Sequence, residues 1–476
     1  MPRRMQVPLP IQSAADEARP WSQQALVNAY IEAADGGAMA QARVRRCAGL
    51  TLFSDTTSTA GVRGVKQLNG LLYAVIGTAL YSISSTGVAT ALPGASISGT
   101  GPVSIDKNRT QLGIVTSAGD GYIYTVGVNS VTLISGLDSD WLPATSINYF
   151  DDRGVYVRED SEEYFISALT DFSNLDALEF ASAESGPDKL VTALADHGEL
   201  WLFSEDTIEV WYNAGLTDFP FARIDGGVIE RGCAARFGVT KEDNTVFWIG
   251  DDRTIYRARG YEPSRISTHA IEAEIAAMSD VSDCVAFSWS ESGHKFVCFT
   301  FPTGGKSFTF DAATGRWHER RSGVANAAGV WRCRSVEECY GQTLFGDAST
   351  GKIYKLDTNA YDEAGEAIEW IATTLPLYNG EQRIFYSGLD VNLDVGRGLT
   401  TGQGSDPQIM LSFSDDGGGT FGYELTRSMG KRGEYGHRIR FNRLGQARER
   451  VFRLSVTDAV PVTLIDMRAD IEVGAA

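Results

Sequence analysis

Leu71-Leu72-Tyr73-Ala74-Val75-Ile76, then Gly77-Thr78, then Ala79-Leu80-Tyr81-Ser82-Ile83 reads as strand, two-residue turn, strand. The pattern recurs six times. Residues 111–116 pass through Gly119-Asp120-Gly121 into Tyr122-Ile123-Tyr124, and Val155-Tyr156-Val157 passes through Glu159-Asp160 into Tyr164-Phe165-Ile166. Leu200-Trp201-Leu202-Phe203 leads to Ile208-Glu209-Val210-Trp211, and Val246-Phe247-Trp248-Ile249 leads to Ile255-Tyr256. Phe296-Val297-Cys298-Phe299 leads to Phe308-Thr309-Phe310, and Thr343-Leu344-Phe345 leads to Ile353-Tyr354-Lys355-Leu356. Tyr73, Ile114, Tyr156, Trp201, Phe247, Phe296 and Phe345 mark the first strands, with gaps of 41, 42, 45, 46, 49 and 49 residues.

One hairpin every 40–50 residues is the signature of β-propeller blades, which hide their edges by stacking around an axis. The competing reading is a run of unrelated hairpins in two sandwiches. The expected fold is all-β: a distorted propeller of six or seven blades over residues 60–360, preceded by an N-terminal arm and lead-in, 1–59. A β-sandwich-like C-terminal unit, 361–476, follows. Its expected strands cover residues 368–377, 383–395, 408–414, 438–443, 450–456 and 460–466. Thr268 is placed to cap a helix carrying Ile271, Ile275 and Met278 on one face. A second helix is expected over residues 22–34, with a less regular apolar face.

The 476 residues include 51 glycines and 10% aromatics, a composition that favours short strands and tight turns. The net charge of −19 opposes attraction to a phosphate backbone. Cys47, Cys233, Cys284, Cys298, Cys333 and Cys339 form no C-x-x-C pair. They are too sparse for a disulfide scaffold and suit a reducing cytoplasm. No run of about 18 apolar residues is present, so no membrane span is expected, and Pro8 and Pro10 break the only apolar stretch near the start.

Sites for chemistry are sparse. Gly305-Lys306-Ser307 resembles the end of a P-loop, but Thr300 stands where the first glycine belongs and a strand follows instead of a helix. The five histidines are scattered, no G-x-S-x-G elbow occurs, and paired acids such as Asp251-Asp252 sit at turns. No catalytic residue, cofactor or metal is expected. Ser414, Asp416, Gly418, Thr420 and Phe421 match an Asp-box, a turn in which Asp416 accepts backbone N–H groups and Phe421 is expected to plug the core. Arg427, Lys431, Arg432, Arg438, Arg440, Arg443, Arg448, Arg450 and Arg453 face only Glu434 and Glu449 in sequence. That strip is either a solvated face or a contact surface for an acidic neighbour.

Several segments together resemble the packaged-DNA stabilisation, or tail hub, proteins of short-tailed phages. They are Gln24-Ala25-Leu26-Val27-Asn28-Ala29-Tyr30 with Cys47-Ala48-Gly49-Leu50 and Gly61-Val62-Arg63-Gly64; residues 206–215; Phe310-Asp311 with Gly315-Arg316-Trp317; and residues 413–422 with 443–448. The resemblance implies a structural virion protein, made in the host cytoplasm and built into the phage tail. It implies a homo-oligomeric ring, typically a hexamer, added below the portal and adaptor after packaging. Such a ring helps retain DNA, lets it pass without specific binding, and anchors the tail needle and tailspikes or fibres. It implies no enzymatic role. The alternatives are a propeller glycosidase, sialidase-like or a depolymerase, and a carbohydrate-binding propeller. A glycosidase should carry several Asp-boxes; one is visible.

Overall fold

A computed structural model describes residues 3–15, 22–34, 40–217, 219–325, 328–380 and 382–474. Seven four-stranded antiparallel units follow one another along the chain. Their first strands are Val62–Leu68, Ser104–Lys107, Ala144–Phe150, Leu190–Asp196, Val239–Glu242, Val285–Glu291 and Cys333–Cys339. Each touches the next, and the seventh touches the first, so the strands form a closed inner ring. The fold is therefore a β-propeller, and of the two expected blade numbers the structure has seven. The anchors Tyr73, Ile114, Tyr156, Trp201, Phe247, Phe296 and Phe345 all lie buried on second strands. Large side chains there fill the space between blades, as the core clusters spanning adjacent blades show.

The inner strands run side by side in one direction, because starts bond to starts and ends to ends. Val103 N–H donates to the Arg63 carbonyl at 3.1 Å, and Ala286 N–H to the Phe237 carbonyl at 2.8 Å. Near the other end, Tyr149 N–H donates to Asp106 at 2.7 Å and Gln67 N–H to Glu337 at 3.2 Å. The channel thus has a leading mouth, where the inner strands begin, and a trailing mouth.

Blade 7 is completed from the far end of the sequence. Gly49–Asp55 pairs antiparallel with Lys352–Asp357 and supplies the outer strand. Leu50 is fully buried against Phe345 and Tyr354. Gly49 lies so close to the backbone of Ala360 and Asp362 that a Cβ would sit 2.3 Å from the Asp362 carbonyl oxygen.

The C-terminal residues form two packed sheets. One carries Ala29–Ala33, Ala42–Arg46, Thr463–Val473, Ile384–Leu393 and Ile439–Ala447 in that order. The other continues from blade 6: Gln23–Val27 runs beside Arg316–Glu319, then come Trp370–Thr373, Glu449–Val456, Gln408–Ser414 and Leu425–Ser428. Their shared core includes Trp370, Leu389, Phe441, Phe452 and Leu464 with Leu26, Ala29 and Val44 from the N-terminal segment. The all-β class and the sandwich-like C-terminal unit expected from the sequence are thus seen. Leu425–Ser428 was not foreseen.

The helix expected over residues 22–34 is instead two strands, Gln23–Val27 and Ala29–Ala33. Asn28 separates them in the left-handed region, φ 49°, which no helix interior accommodates. Its amide Nδ2 donates to the carbonyls of Arg321 and Glu369, both at 2.9 Å, and its Oδ1 accepts from Arg321 N–H at 3.2 Å. The bend sends one strand into each sheet. The other expected helix is present, over His269–Ala276, with the Thr268 side chain accepting from Ile271 N–H.

Beside this bend, Tyr30 packs on His294 and Phe296, with ring centroids 4.8 and 5.3 Å away. His294 Nδ1 lies 2.7 Å from Asp311 Oδ2, and this contact raises the pKa of the histidine. Burial, aided by the charge of Arg320, pushes His318 down to about 3.

Leu50→Ala should cost about 3 kcal/mol, because a fully enclosed leucine leaves a cavity. Leu178→Ala, on a side chain 82% exposed, should change stability by less than about 0.5 kcal/mol. Urea denaturation of the two variants checks this. A second expectation concerns pH. A histidine with a depressed folded pKa contributes a penalty that is absent above its unfolded pKa and grows as the pH falls below it. His294, with a raised pKa, adds stability at acid pH that is lost as pH rises through its folded value. From an unfolded value near 6.5, His318 alone should cost about 2 kcal/mol between pH 7.5 and pH 5. His318→Gln should lose correspondingly less over that interval, with His294 common to both proteins. Equal losses would contradict it.

Candidate functional site: the channel and the sandwich flank

A cavity of about 730 Å³ runs along the propeller axis and is lined by all seven inner strands. In a chain of net charge −19, its lining is cationic. Arg63, Arg236 and Arg334 stand at the leading mouth, and Lys66, Lys107, Arg109 and Lys241 toward the trailing mouth. Asp106 is the one carboxylate among these lining residues. At the trailing mouth two of the four charges are matched: Lys66 Nζ lies 3.0 Å from Asp106, and Lys241 Nζ 3.5 Å from Asp196.

The leading mouth differs. Arg63 is buried and makes hydrogen bonds only to carbonyl oxygens, those of Gly101, Gly77, Ile97 and Ser98, at 2.6–3.4 Å. Arg236, in the approach to blade 5, extends to blade 2 and donates from Nη2 to the Thr116 carbonyl at 3.0 Å. Blades 2 and 5 are as far apart in order as a seven-membered ring permits, so this side chain links opposite sides of the ring. Sequence reasoning misses Arg236 and Arg334, because no local motif marks them and only ring closure puts both in the lining of one channel.

The nine cations expected to form one strip divide into three groups. Arg450 is buried in the sandwich: Nε and Nη2 donate to both oxygens of Asp415 at 2.6 and 2.7 Å. Its Cζ lies 4.1 Å from the Phe413 ring centroid and 4.6 Å from that of Tyr386. Arg453 lies 3.4 Å over Phe421. Arg438 and Arg440 both pair with Asp390, at 2.9 and 3.0 Å, and Arg440 also reaches Asp470; Arg4 joins the same carboxylates.

Arg427, Lys431, Arg432, Arg443 and Arg448 are exposed and have no carboxylate partner among the described residues. Arg427 lies on Leu425–Ser428 and Arg443 on Ile439–Ala447, the edge strands of the two sheets. The edges touch, and Arg427 Nε donates to the Arg440 carbonyl at 3.1 Å. The unpaired cations therefore decorate the open flank of the sandwich, where charge also discourages unwanted edge pairing.

The Asp-box residues bond to one another within a few positions of the chain. Ser414 Oγ donates to Asp416 Oδ1 at 2.5 Å, Thr420 N–H to the same oxygen at 2.9 Å, and Thr420 Oγ1 to Oδ2 at 2.6 Å. These bonds hold the Asp416 carboxyl well below the usual range. Phe421 does not plug the core as expected; it is half-buried beneath Arg453, because the box sits at the rim of the sheet. Gly305, at φ 67°, ends a hairpin turn, and Lys306 and Ser307 open the strand Lys306–Asp311, with Lys306 Nζ between Glu274 and Glu319 at 3.1 and 3.3 Å. Among the described residues no group of three potential metal ligands converges.

Arg450→Ala should destabilise the fold by about 3 kcal/mol, since it strips Asp415 of its partner and leaves two aromatic faces uncovered. Arg450→Lys should recover only part, because an ammonium cannot engage both oxygens in one plane. Thermal denaturation checks the order wild type, Lys, Ala.

No curated protein matches this chain. Among solved structures, PorZ, a surface component of the type-IX secretion system of Porphyromonas gingivalis, is similar at 12% identity and TM-score 0.39. The match covers 71% of this chain and 44% of that one, so the chain spans less than half of PorZ. The WD40 β-propeller domain of Doa1 matches at 12% identity and TM-score 0.42, over 65% of this chain and 97% of that domain. The computationally designed protein Ika8 matches at 11% identity and TM-score 0.37, over 65% and 99%. The family described as bacteriophage P22 Gp10, beta-propeller, matches residues 5–361, and its beta-sandwich counterpart matches residues 369–472. With both parts matched in the order in which the structure presents them, the chain belongs to the bacteriophage P22 Gp10 family of phage stabilisation proteins and is a structural component of a phage tail.

Proposed function

We propose that the chain assembles as a ring, with hexamer the expected order, beneath the portal and adaptor. There it helps retain packaged DNA and offers attachment for needle and tailspike or fibre proteins. The observation that carries the assembly reading is the flank of unpaired cations, Arg427, Lys431, Arg432, Arg443 and Arg448, on a chain whose net charge is −19. A ring built from one kind of subunit joins two different patches of its surface. A basic flank on an acidic body meets that need, since opposite potentials steer and orient the encounter. The net charge also fits a wall along which DNA moves without adhering. Arg438, Arg440, Arg450 and Arg453 serve the monomer instead, through their partners within the sandwich.

The experiment replaces Arg427, Arg432, Arg443 and Arg448 together with Glu. These side chains have no carboxylate to lose, so the monomer should keep its melting temperature within a few degrees. Incorporation into tail-containing particles, read by sedimentation and gel densitometry, should fall at least tenfold. Incorporation at the wild-type level by the folded variant would overturn the proposal.

A further inference from the structure

We propose that the surface receiving the cationic flank is the acidic outer edge of blade 3 on the next copy of the chain. The inference rests on the flank being a subunit contact, and it adds what the flank meets.

Charge is the first observation. Residues 138–184 carry twelve carboxylates against Arg153 and Arg158, a net of −10 within a chain of −19. They cover the approach to blade 3 and its four strands, Ala144–Phe150, Arg153–Arg158, Glu163–Ala168 and Asp171–Ser182. Both arginines are already paired, Arg153 with Glu179 at 2.7 Å and Arg158 with Glu163. Asp140, Glu162, Asp176 and Glu184 have no cationic partner among the described residues.

Shape is the second. Asp171–Ser182 is the outermost strand of the blade, with one side unpaired. Its ladder with Glu163–Ala168 is irregular: Phe165 stands opposite Phe180, but Ser167 stands opposite Leu175. The residues between, Asp176 to Glu179, bow out of the ladder, and Leu178 is left 82% exposed. Ala177 N–H donates to Asp140 Oδ2 at 3.3 Å and so holds that carboxylate beside the bow. A hollow of about 100 Å³ lies here, lined by Leu142, Phe165 and Phe180 and by Asp140 and Asp176. It is too small for an ordinary ligand site. Apolar walls with carboxylates beside them suit the stem and head of one long cationic side chain.

Placement is the third. The sandwich is anchored at blades 6 and 7: Gln23–Val27 runs beside Arg316–Glu319, and Gly49–Asp55, just after the sandwich strand Ala42–Arg46, completes blade 7. In a ring of seven, blade 3 stands opposite the seam between blades 6 and 7. Leu425–Ser428, which bears Arg427, is the last strand of the sheet that continues away from blade 6. The acidic edge and the basic flank therefore lie on opposite sides of one subunit. A heterologous contact joins two such different patches, and their opposite charges orient the encounter. Tyr423, 94% exposed, and exposed Tyr435 stand among the flank's cations in the sequence. Tyrosine and arginine are the side chains that serve most often as interface anchors, and Leu178 and Phe180 offer them an apolar counterpart.

The test reverses the acidic edge in the full chain. One variant combines Asp140→Arg, Glu162→Arg, Asp176→Arg and Glu184→Arg; another carries Leu178→Lys alone, at a side chain with no packing to lose. Each, shown to be folded by its melting curve, should enter tail-containing particles at least tenfold less than wild type, read by sedimentation and gel densitometry. The deciding variant joins the four acid replacements to Arg427→Glu, Arg432→Glu, Arg443→Glu and Arg448→Glu. Opposite charges then face each other again between copies, and incorporation should recover at least tenfold over either parent. Should the fourfold acid variant fail to fold, Leu178→Lys carries the test. Wild-type incorporation by either folded blade 3 variant, or a combined variant no better than its parents, would overturn the proposal and leave the flank to a different tail protein. The flank replacements alone decide whether the flank makes a contact at all, so the two readings fail by different results.

Discussion

The pairing of Gly49–Asp55 with Lys352–Asp357 is the constraint on which the architecture turns. The inner strands of blades 7 and 1 meet to close the ring, and blade 7 lacks its outer strand until the N-terminal segment arrives. The sequence separation is close to 300 residues, so the loop-closure entropy is among the largest in the molecule. What offsets it is a buried interface: Leu50 beside Phe345, Tyr354, Trp331 and Trp289, with Arg320 stacked 4.3 Å over the Trp331 ring. The tight fit of Gly49 against Ala360 and Asp362 fixes the register in which closure occurs.

The same segment makes the sandwich dependent on the propeller. Between Gln23 and Arg46 the chain contributes strands to both sandwich sheets, and Gln23–Val27 runs beside the outer strand of blade 6. Asn28 bonds at once to the end of blade 6 and to the start of the C-terminal unit. Buried Arg46, without a carboxylate, donates to the carbonyls of Ile368, Asp458 and Val460. Each bond satisfies a backbone oxygen that would otherwise be stranded at the junction.

What could be read in the sequence was local. Each blade announces itself because its second and third strands are joined by a short turn and carry large apolar side chains, paired across the strands in Trp248 with Tyr256. The helix at Thr268 and the Asp-box at Ser414 are likewise defined within a few residues. Non-local features stayed hidden. Residues 22–34 place Leu26, Ala29 and Ala33 at helical spacing, and nothing in that pattern reports that Asn28 takes a left-handed conformation to reach Arg321 and Glu369. The nine clustered cations could not be sorted either, because Asp415, Asp390 and Asp470 come from other strands.

Charge follows the same division between local and assembled structure. Within the sandwich, cations with an aromatic face or carboxylate beside them, such as Arg450, have become part of the packing. Arg427 and Arg443, on the touching edge strands, have no carboxylate partner among the described residues, whereas Arg440 on the same strand as Arg443 turns toward Asp390 and Asp470. The channel shows the complementary case. Inner strands of seven blades crowd their side chains toward one axis, and the channel lining carries seven cations against Asp106. Arg63 is met by four carbonyl oxygens and Arg236 by one, while Arg334 has none. Three arginines of one mouth therefore differ in how far the fold itself satisfies them: Arg63, bound by four carbonyl oxygens, is part of the blade, while Arg334 keeps its contact with the fold to the charges of Asp283 and Asp347.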